Sequence, residues 1–271
     1  EGNLERIFRL LDTEPTVKPP VSPVRLASPV RGEVVFEDVW FRYGVPRSPF
    51  PVPRGPAEAQ PGTAKGRDPV GPPEPQPRNA ERGTGNDPEA NWVLKGISFR
   101  ASPGQTIALV GHTGAGKTTI INLLLRFYDP ERGRITVDGV DIRDLAPSDL
   151  RGLIGFVQQD LFLFTGDIGH NLRLDADISP AEAQLAAQRV GADRFIQRLP
   201  SGYGHVLGER GRSLSVGERQ LLSFARALAR DPRILVLDEA TSSVDAEAEA
   251  LIQQAVGELM RGRTSLVVAH R

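Results

Sequence analysis

Apolar and polar positions change rhythm several times along the 271 residues of this chain. Leu4, Ile7, Phe8 and Leu11 recur at helical spacing within residues 3–12, which predicts a short helix connecting to something upstream. Prolines at 15, 19, 20, 23 and 29 then predict an extended linker, so residues 1–31 read as a connector. Val34 to Tyr43 alternates well enough for a strand, with Val35, Phe36, Val39 and Phe41 in it. From Gly44 to Asn91 the pattern collapses. That stretch holds 12 of the 23 prolines, six basic and six acidic residues, and Phe50 as its one aromatic. It cannot bury enough apolar area to offset its ordering entropy, which predicts a disordered insertion at 44–91. Regular structure is expected to resume at Trp92, with Val93 to Ala101 as the strand that returns to pair with the first.

Beyond that point strands and helices alternate. Gln105 to Gly111 reads as a buried strand followed by a helix through Phe127, and Arg134 to Asp138 as a short strand ending in the turn Asp138-Gly139. Leu153 to Val157 is another strand. Residues from about 160 to 230 read mainly as helix, with helix-period apolar residues in Ala181 to Val190 and Gly217 to Ala229. Ile234 to Leu237 and Ser265 to Ala269 are continuous apolar runs, as expected of strands buried on both faces of a parallel sheet. A helix from Asp245 to Met260 joins them into a βαβ unit.

Composition changes this picture little. A hydrophobic share of 39% and a charged share of 25% are those of an ordinary soluble globular chain. The absence of cysteine excludes disulfides and thiolate metal sites. A net charge of −1 argues against a broad field for nucleic acid, and none is expected as a partner. No apolar window approaches the roughly 20 residues that a membrane-spanning helix needs, and no signal-peptide pattern opens the chain. It begins on Glu1 and stops at His270-Arg271, straight after the apolar run Leu266-Val267-Val268-Ala269, a pattern expected of a piece cut from a longer polypeptide.

Candidate chemistry is concentrated in two places. Gly111-His112-Thr113-Gly114-Ala115-Gly116-Lys117-Thr118, with Thr119 next, matches the phosphate-binding P-loop, and it lies where that motif must lie, between a strand and a helix. Glycines let the backbone turn tightly and aim successive N–H groups at phosphate oxygens, and the helix N-terminus adds partial positive charge. Lys117 is expected to reach the β- and γ-phosphates of ATP, and Thr118 to offer its hydroxyl to Mg²⁺. The second place is Ile234-Leu235-Val236-Leu237-Asp238-Glu239, an apolar strand running into two carboxylates at the edge where α/β sheets bind ligands. Asp238 is suited to Mg²⁺, through a water, and Glu239 to polarising an attacking water.

The middle of the chain narrows the class. Leu214-Ser215-Val216-Gly217-Glu218 opens a helix continuing Arg219-Gln220-Leu221-Leu222-Ser223-Phe224-Ala225-Arg226-Ala227-Leu228. It resembles the signature motif of ABC transporters, and from about Glu33 onward, apart from the insertion, the chain resembles an exporter-type ABC nucleotide-binding domain. The common form of that motif is Leu-Ser-Gly-Gly-Gln; Val216 and Glu218 depart from it at the third and fifth positions. Ser215-x-x-Glu218 is also the pattern of an ordinary capping box, and both readings stand together.

The resemblance assigns further roles. Tyr43 corresponds to the aromatic that stacks on adenine. Gln159 corresponds to the glutamine that contacts Mg²⁺ and the water and senses the membrane domain; Gln158 is the rival, and Gln159 is favoured because Asp160 and Leu161 follow it. Gly208-Glu209-Arg210-Gly211 resembles an exporter-specific loop, Ser242-Ser243-Val244-Asp245 the loop that crosses the dimer interface, and His270 the switch histidine. The implied fold is α/β: a P-loop parallel sheet with a small antiparallel β-subdomain and a helical subdomain at 158–230, all within residues 32–271. The implied partners are a second ABC ATPase domain, in a homodimer or heterodimer, and a transmembrane domain of the same polypeptide that would hold this one at the cytoplasmic face of the inner membrane. In the head-to-tail dimer, Ser215, Gly217 and Glu218 would face the nucleotide of the partner. Two other readings, an ABC ATPase working on DNA or ribosomes and a regulatory subunit without turnover, are disfavoured. No sustained heptads appear, the Glu209 loop is exporter-like, and Glu239 is present.

Overall fold

In the computed structural model the described residues are 17–44, 92–158, 162–174, 177–208, 211, 213–238 and 246–269. The expected leading helix, nearly all of the 44–91 segment, Gln159, Glu209, Glu239, the 242–245 loop and His270 lie outside them. By its internal contacts the chain divides into Glu1–Phe41 with Val93–Arg271, and a second unit, Arg42–Trp92.

The elements of the first unit are, in order, β1 (Val34–Phe41), β2 (Leu94–Ala101), β3 (Thr106–Val110), α1 (Lys117–Leu124), β4 (Arg132–Val137), β5 (Val140–Asp141), α2 (Pro147–Gly152) and β6 (Ile154–Val157). Then come β7 (Gly166–Asp167), α3 (Ile168–Arg173), α4 (Pro180–Arg189), α5 (Asp193–Ile196), β8 (Val206–Leu207), α6 (Val216–Ala229), β9 (Ile234–Asp238), α7 (Ala246–Met260) and β10 (Thr264–Ala269). They build a parallel sheet of order β3-β10-β9-β6 and an antiparallel sheet of order β2-β1-β4-β5. The stretch expected to be mainly helical also contains a two-stranded pair, β7 with β8.

The continuous apolar run of β9 is explained by two cores. Side chains alternate across a strand. Ile234 and Val236 enter a core shared with β1, β4 and α1, while Leu235 and Leu237 enter one shared with α3, α4, α6 and α7. Both faces of the strand are therefore buried from Ile234 to Leu237, and its one polar residue is Asp238 at the end.

In β1 the buried residues are Val34, Phe36, Val39 and Phe41. The step of three from Phe36 to Val39 is a register shift in both neighbouring pairings, and Asp38 has φ of 45° there. Gly133 on β4 sits opposite with φ of 76°, and a Cβ on it would run into the backbone carbonyls of Glu37 and Asp38. Only glycine fits beside this bulge. The strand ends at Phe41, whose carbonyl accepts from Val93 N at 2.8 Å, so β2 returns as expected.

Two expectations are corrected. The Gln105–Gly111 strand was expected to be buried, yet β3 alternates exposed and half-buried residues, and Val110 is 67% exposed. It is the last strand of its sheet among the described residues and pairs with β10 alone. The helix expected to reach Phe127 stops at Leu124. Arg126 there turns left-handed with φ of 52°, and the Leu125 and Arg126 carbonyls are taken by the Arg151 guanidinium rather than by further helix.

From residue 17 onward the proline-rich stretch forms no helix and is tied to the domain. The Lys18 carbonyl accepts from Arg126, Val24 N donates to the Asp144 carbonyl, and the Asp138 carboxylate accepts from the backbone N–H groups of Arg31, Gly32 and Glu33. No helix among the described residues is long and apolar enough to cross a membrane.

Candidate nucleotide site

All four strands of the parallel sheet run the same way, so their C-terminal ends share an edge. Val110, the last residue of β3, lies opposite Ala269. Asp238, the last of β9, lies opposite Val268, and Val157 of β6 opposite Leu237. The glycine loop and Asp238 thus leave the same edge with one strand, β10, between them. Two strand spacings of about 4.8 Å separate them by roughly 10 Å, room for a phosphate chain.

The loop returns into α1 through two left-handed glycines, Gly114 with φ of 84° and Gly116 with φ of 87°. They differ in their surroundings. A Cβ on Gly114 would meet nothing within 4 Å, whereas one on Gly116 would come within 2.7 Å of Leu94 Cδ2 and 3.3 Å of the Val93 carbonyl. Gly116 is therefore glycine because α1 begins hard against β2, and Gly114 because the turn needs its conformation. Ala115 N closes the turn on the His112 carbonyl at 3.1 Å.

Gly111, His112, Thr113, Gly114, Ala115 and Thr118 are exposed; Lys117 and Thr119 are buried. Lys117 reaches back across the loop, its Nζ donating to the Gly111 carbonyl at 2.6 Å and the His112 carbonyl at 3.0 Å. An ammonium has three donors. These two bonds fix its position at the loop and leave a third N–H. The first turn of α1 carries no acidic residue, so its partial positive charge is not offset from within.

The start of α6 is dressed differently. Ser215 Oγ accepts from Glu218 N at 3.2 Å, and the Glu218 carboxylate accepts from Ser215 N at 2.9 Å, a complete capping box. Gly217 is buried and Ser215 exposed. A hollow of about 350 Å³ alongside is lined by Phe195, Leu221 and Leu251 and by the exposed Arg194 and Arg198. Tyr43 belongs to the second unit, where it is 43% exposed and the Arg42 guanidinium lies 4.7 Å from the centre of the Trp92 ring.

Sequence reasoning missed the arginines that tie this scaffold together. Arg226 of α6 donates to the Asn171 carbonyl, to Asn171 Oδ1 and to the Phe162 carbonyl. Burial, with a smaller push from Arg230, lowers its pKa to about 10, which leaves it charged at neutral pH. Its only signal in the sequence is a cation between Ala225 and Ala227 on a helix whose neighbouring positions are buried.

A parallel sheet whose strand ends carry a glycine loop, a helix-borne lysine that closes on it and a carboxylate beside it defines an α/β P-loop nucleotide-binding domain. Residues 94–242 match the family model described as ABC transporter. The chain is 41% identical over 268 residues to an uncharacterized ABC transporter ATP-binding protein, YknV, of Bacillus subtilis, covering 98% of this chain and 37% of that protein. It is 50% identical over 184 residues to the probable multidrug resistance ABC transporter ATP-binding/permease protein YheH of the same organism, covering 68% and 27%. It is 54% identical over 180 residues to the β-(1→2)glucan export ATP-binding/permease protein NdvA of Rhodopseudomonas palustris, covering 66% and 30%. A solved bacterial Atm1-family ABC exporter with ATP bound superposes with a TM-score of 0.73 at 34% identity, over 99% of this chain and 39% of that one. The chain belongs to the ABC transporter family and is an ATP-binding domain homologous to those of its exporters. It spans well under half the length of these relatives.

Proposed function

We propose that this domain is the motor of an ATP-driven exporter, binding and hydrolysing Mg-ATP between two head-to-tail copies at the cytoplasmic face of the membrane. The observation that carries the proposal is the shared sheet edge, from which the loop closed by Lys117 and the Asp238 carboxylate both emerge. Backbone N–H groups of Gly111 to Thr119 and the Lys117 ammonium bind the phosphates, and Tyr43 stacks on the base. The exposed Thr118 hydroxyl and the half-buried Asp238 carboxylate are hard oxygen donors of the kind Mg²⁺ takes, with Gln159 completing the set. Bound there, the ion would neutralise phosphate charge. Glu239 orients and deprotonates the water, and His270 holds the γ-phosphate side.

Ser215, Gly217 and Glu218 serve the nucleotide of a second copy, homologous or identical. Their helix packs in the other hydrophobic core from α1, which supports a division of labour between copies. Cargo is not written in this domain, because relatives named for multidrug resistance and for glucan export match it about equally well. It belongs to the membrane domain of the same polypeptide.

Since the site is shared, the isolated domain should hydrolyse ATP slowly, with a specific rate that rises with protein concentration. Without membrane helices the effective concentration of the second half-site is only the bulk concentration. Specific ATPase rate over a wide dilution series, with light scattering in parallel, checks this. A high rate independent of dilution, from a monomer, would refute the shared site.

Glu218→Gln separates two roles of one carboxylate. Glutamine still completes a capping box, but the charge leaves the helix N-terminus. The helix should lose about 0.3–1 kcal/mol of dipole stabilisation, and the ATP-driven dimer should tighten by about 2–5-fold because a negative charge facing the partner's γ-phosphate is gone. Melting temperature and sedimentation with Mg-ATP should therefore move in opposite senses. A looser dimer would mean that the carboxylate itself is needed at the interface.

A further inference from the structure

Residues 162–164 form no regular secondary structure, so their backbone polar groups must find partners elsewhere. Phe164 N donates to Asn171 Oδ1 at 2.8 Å and its carbonyl accepts from Asn171 Nδ2 at 2.8 Å. The Phe162 carbonyl accepts from Arg226 at 2.9 Å. Arg226 in turn donates to the Asn171 carbonyl at 2.8 Å and to Asn171 Oδ1 at 3.1 Å. The Asn171 amide also reaches the Asp167 carbonyl at 3.2 Å. Asn171 is 1% exposed, so water does not readily replace the bonds that its side chain makes.

Apolar contacts reinforce the knot. The Phe164 ring lies 5.9 Å from the guanidinium and meets Phe162 edge-on at 4.8 Å. Leu163 between them is 1% exposed. Gly211, in the loop before the signature, packs so closely on it that a Cβ would come within 2.7 Å of Leu163 Cδ1. Residues 162–164 are thus fastened to α3, to Gly211 and to α6. Arg226 lies eleven residues along α6 from Ser215, about 16 Å at helical rise.

We propose that Arg226 and Asn171 are positioning residues, a clamp that makes the segment after Gln159 and the Ser215 end of α6 move as one body. When the signature end engages the nucleotide of the partner copy, the displacement is delivered to the Gln159 side of the same copy, and engagement of one site is coupled to the other. The inference rests on the shared-site reading above. A planar guanidinium spreads its donors in a rigid fork over acceptors that lie apart; an ammonium gathers its three donors on one nitrogen and does not span them.

The test uses the full-length transporter in lipid nanodiscs. Arg226→Met keeps the aliphatic stem and removes the donors. KM for ATP should stay within about twofold while kcat falls about tenfold, the scale of coupling lost when a linking residue is removed. Arg226→Lys should recover less than half of the lost kcat. Because residues 1–271 contain no cysteine, spin labels can be placed in this domain at Thr165 and Leu185, both exposed, once any cysteines elsewhere in the transporter are replaced. Their distance distribution should be narrow and insensitive to nucleotide in the parent, and broad in Arg226→Met. Asn171→Asp, which keeps the acceptors but loses both amide donors, should lower kcat in the same way and serves if Arg226→Met does not accumulate. A merely structural role would lower the folded fraction but leave kcat per nucleotide-binding site and the distance distribution unchanged, and either result overturns the clamp. Glu239→Gln transporter run alongside separates the two readings. If it fails to trap an ATP-bound dimer, the shared-site reading has failed; if it traps one while Arg226→Met turns over normally, only the clamp has.

Discussion

Glu239→Gln is expected to keep Mg-ATP binding and to slow hydrolysis by roughly 10²–10⁴, the usual contribution of a positioned general base. The substitution preserves size and removes the charge that, in the mechanism proposed above, draws the proton from water. In sequence Glu239 follows Asp238, which ends its strand at the edge that also carries the glycine loop. The phosphate cradle lies on other elements, so affinity should stay within a fewfold of the parent. With binding intact and turnover blocked, the two copies should accumulate as a closed dimer that gel filtration resolves in the presence of ATP. Single-turnover hydrolysis by the full-length transporter is the decisive measurement. A parent-like rate would remove Glu239 from the mechanism.

Lys117→Ala should raise the Kd for Mg-ATP by about 10–100-fold, since hydrogen bonds from a charged donor contribute about 1.5–3 kcal/mol. Folding should suffer much less. The Gly111 and His112 carbonyls that Lys117 Nζ holds belong to exposed residues, and water can take them over. The backbone N–H groups of the loop remain, so binding should weaken rather than vanish. Titration calorimetry beside a melting curve separates the two effects. Equal affinities of variant and parent would show that nucleotide binds elsewhere, and a collapse of the melting temperature would make Lys117 a structural residue.

What the sequence made legible was local or continuous. The P-loop could be read because its requirements lie within eight consecutive positions, and the capping box because it spans four. Ile234 to Leu237 declared itself a two-faced strand because both of its faces are buried. Properties set by distant neighbours were not legible. Nothing within Gln105 to Gly111 says that, among the described residues, it pairs with one strand only, or that Val110 is exposed. Nothing in Ser28-Pro29 or Arg31-Gly32 announces that an aspartate more than 100 residues on collects the N–H groups of Arg31, Gly32 and Glu33, where the linker meets the domain. Arg226 escaped for a related reason. Most of its partners are backbone carbonyls, which every residue has, so no complementary acid marks them in the sequence.

The same carbonyl-seeking habit recurs at Arg126, Arg151 and Arg263. Arg126 is 3% exposed and binds the carbonyls of Ile142, Leu145 and Lys18, and Arg151 binds those of Leu125 and Arg126. Arg263, 6% exposed, binds those of Pro232, Leu259 and Arg261. A carbonyl does not titrate in any accessible range, and neither does an arginine at neutral pH. The carbonyl joints therefore have no acid to neutralise, unlike carboxylate pairs; among the described residues only Arg126 and Arg263 add one, to Asp129 and Asp231. The chain has four lysines among 33 basic residues, and the ratio has become part of the architecture. A recoded gene exchanging arginine for lysine could do so freely at solvent-facing sites, but at the buried Arg126 and Arg263 it would strand carbonyl oxygens that one ammonium cannot reach together.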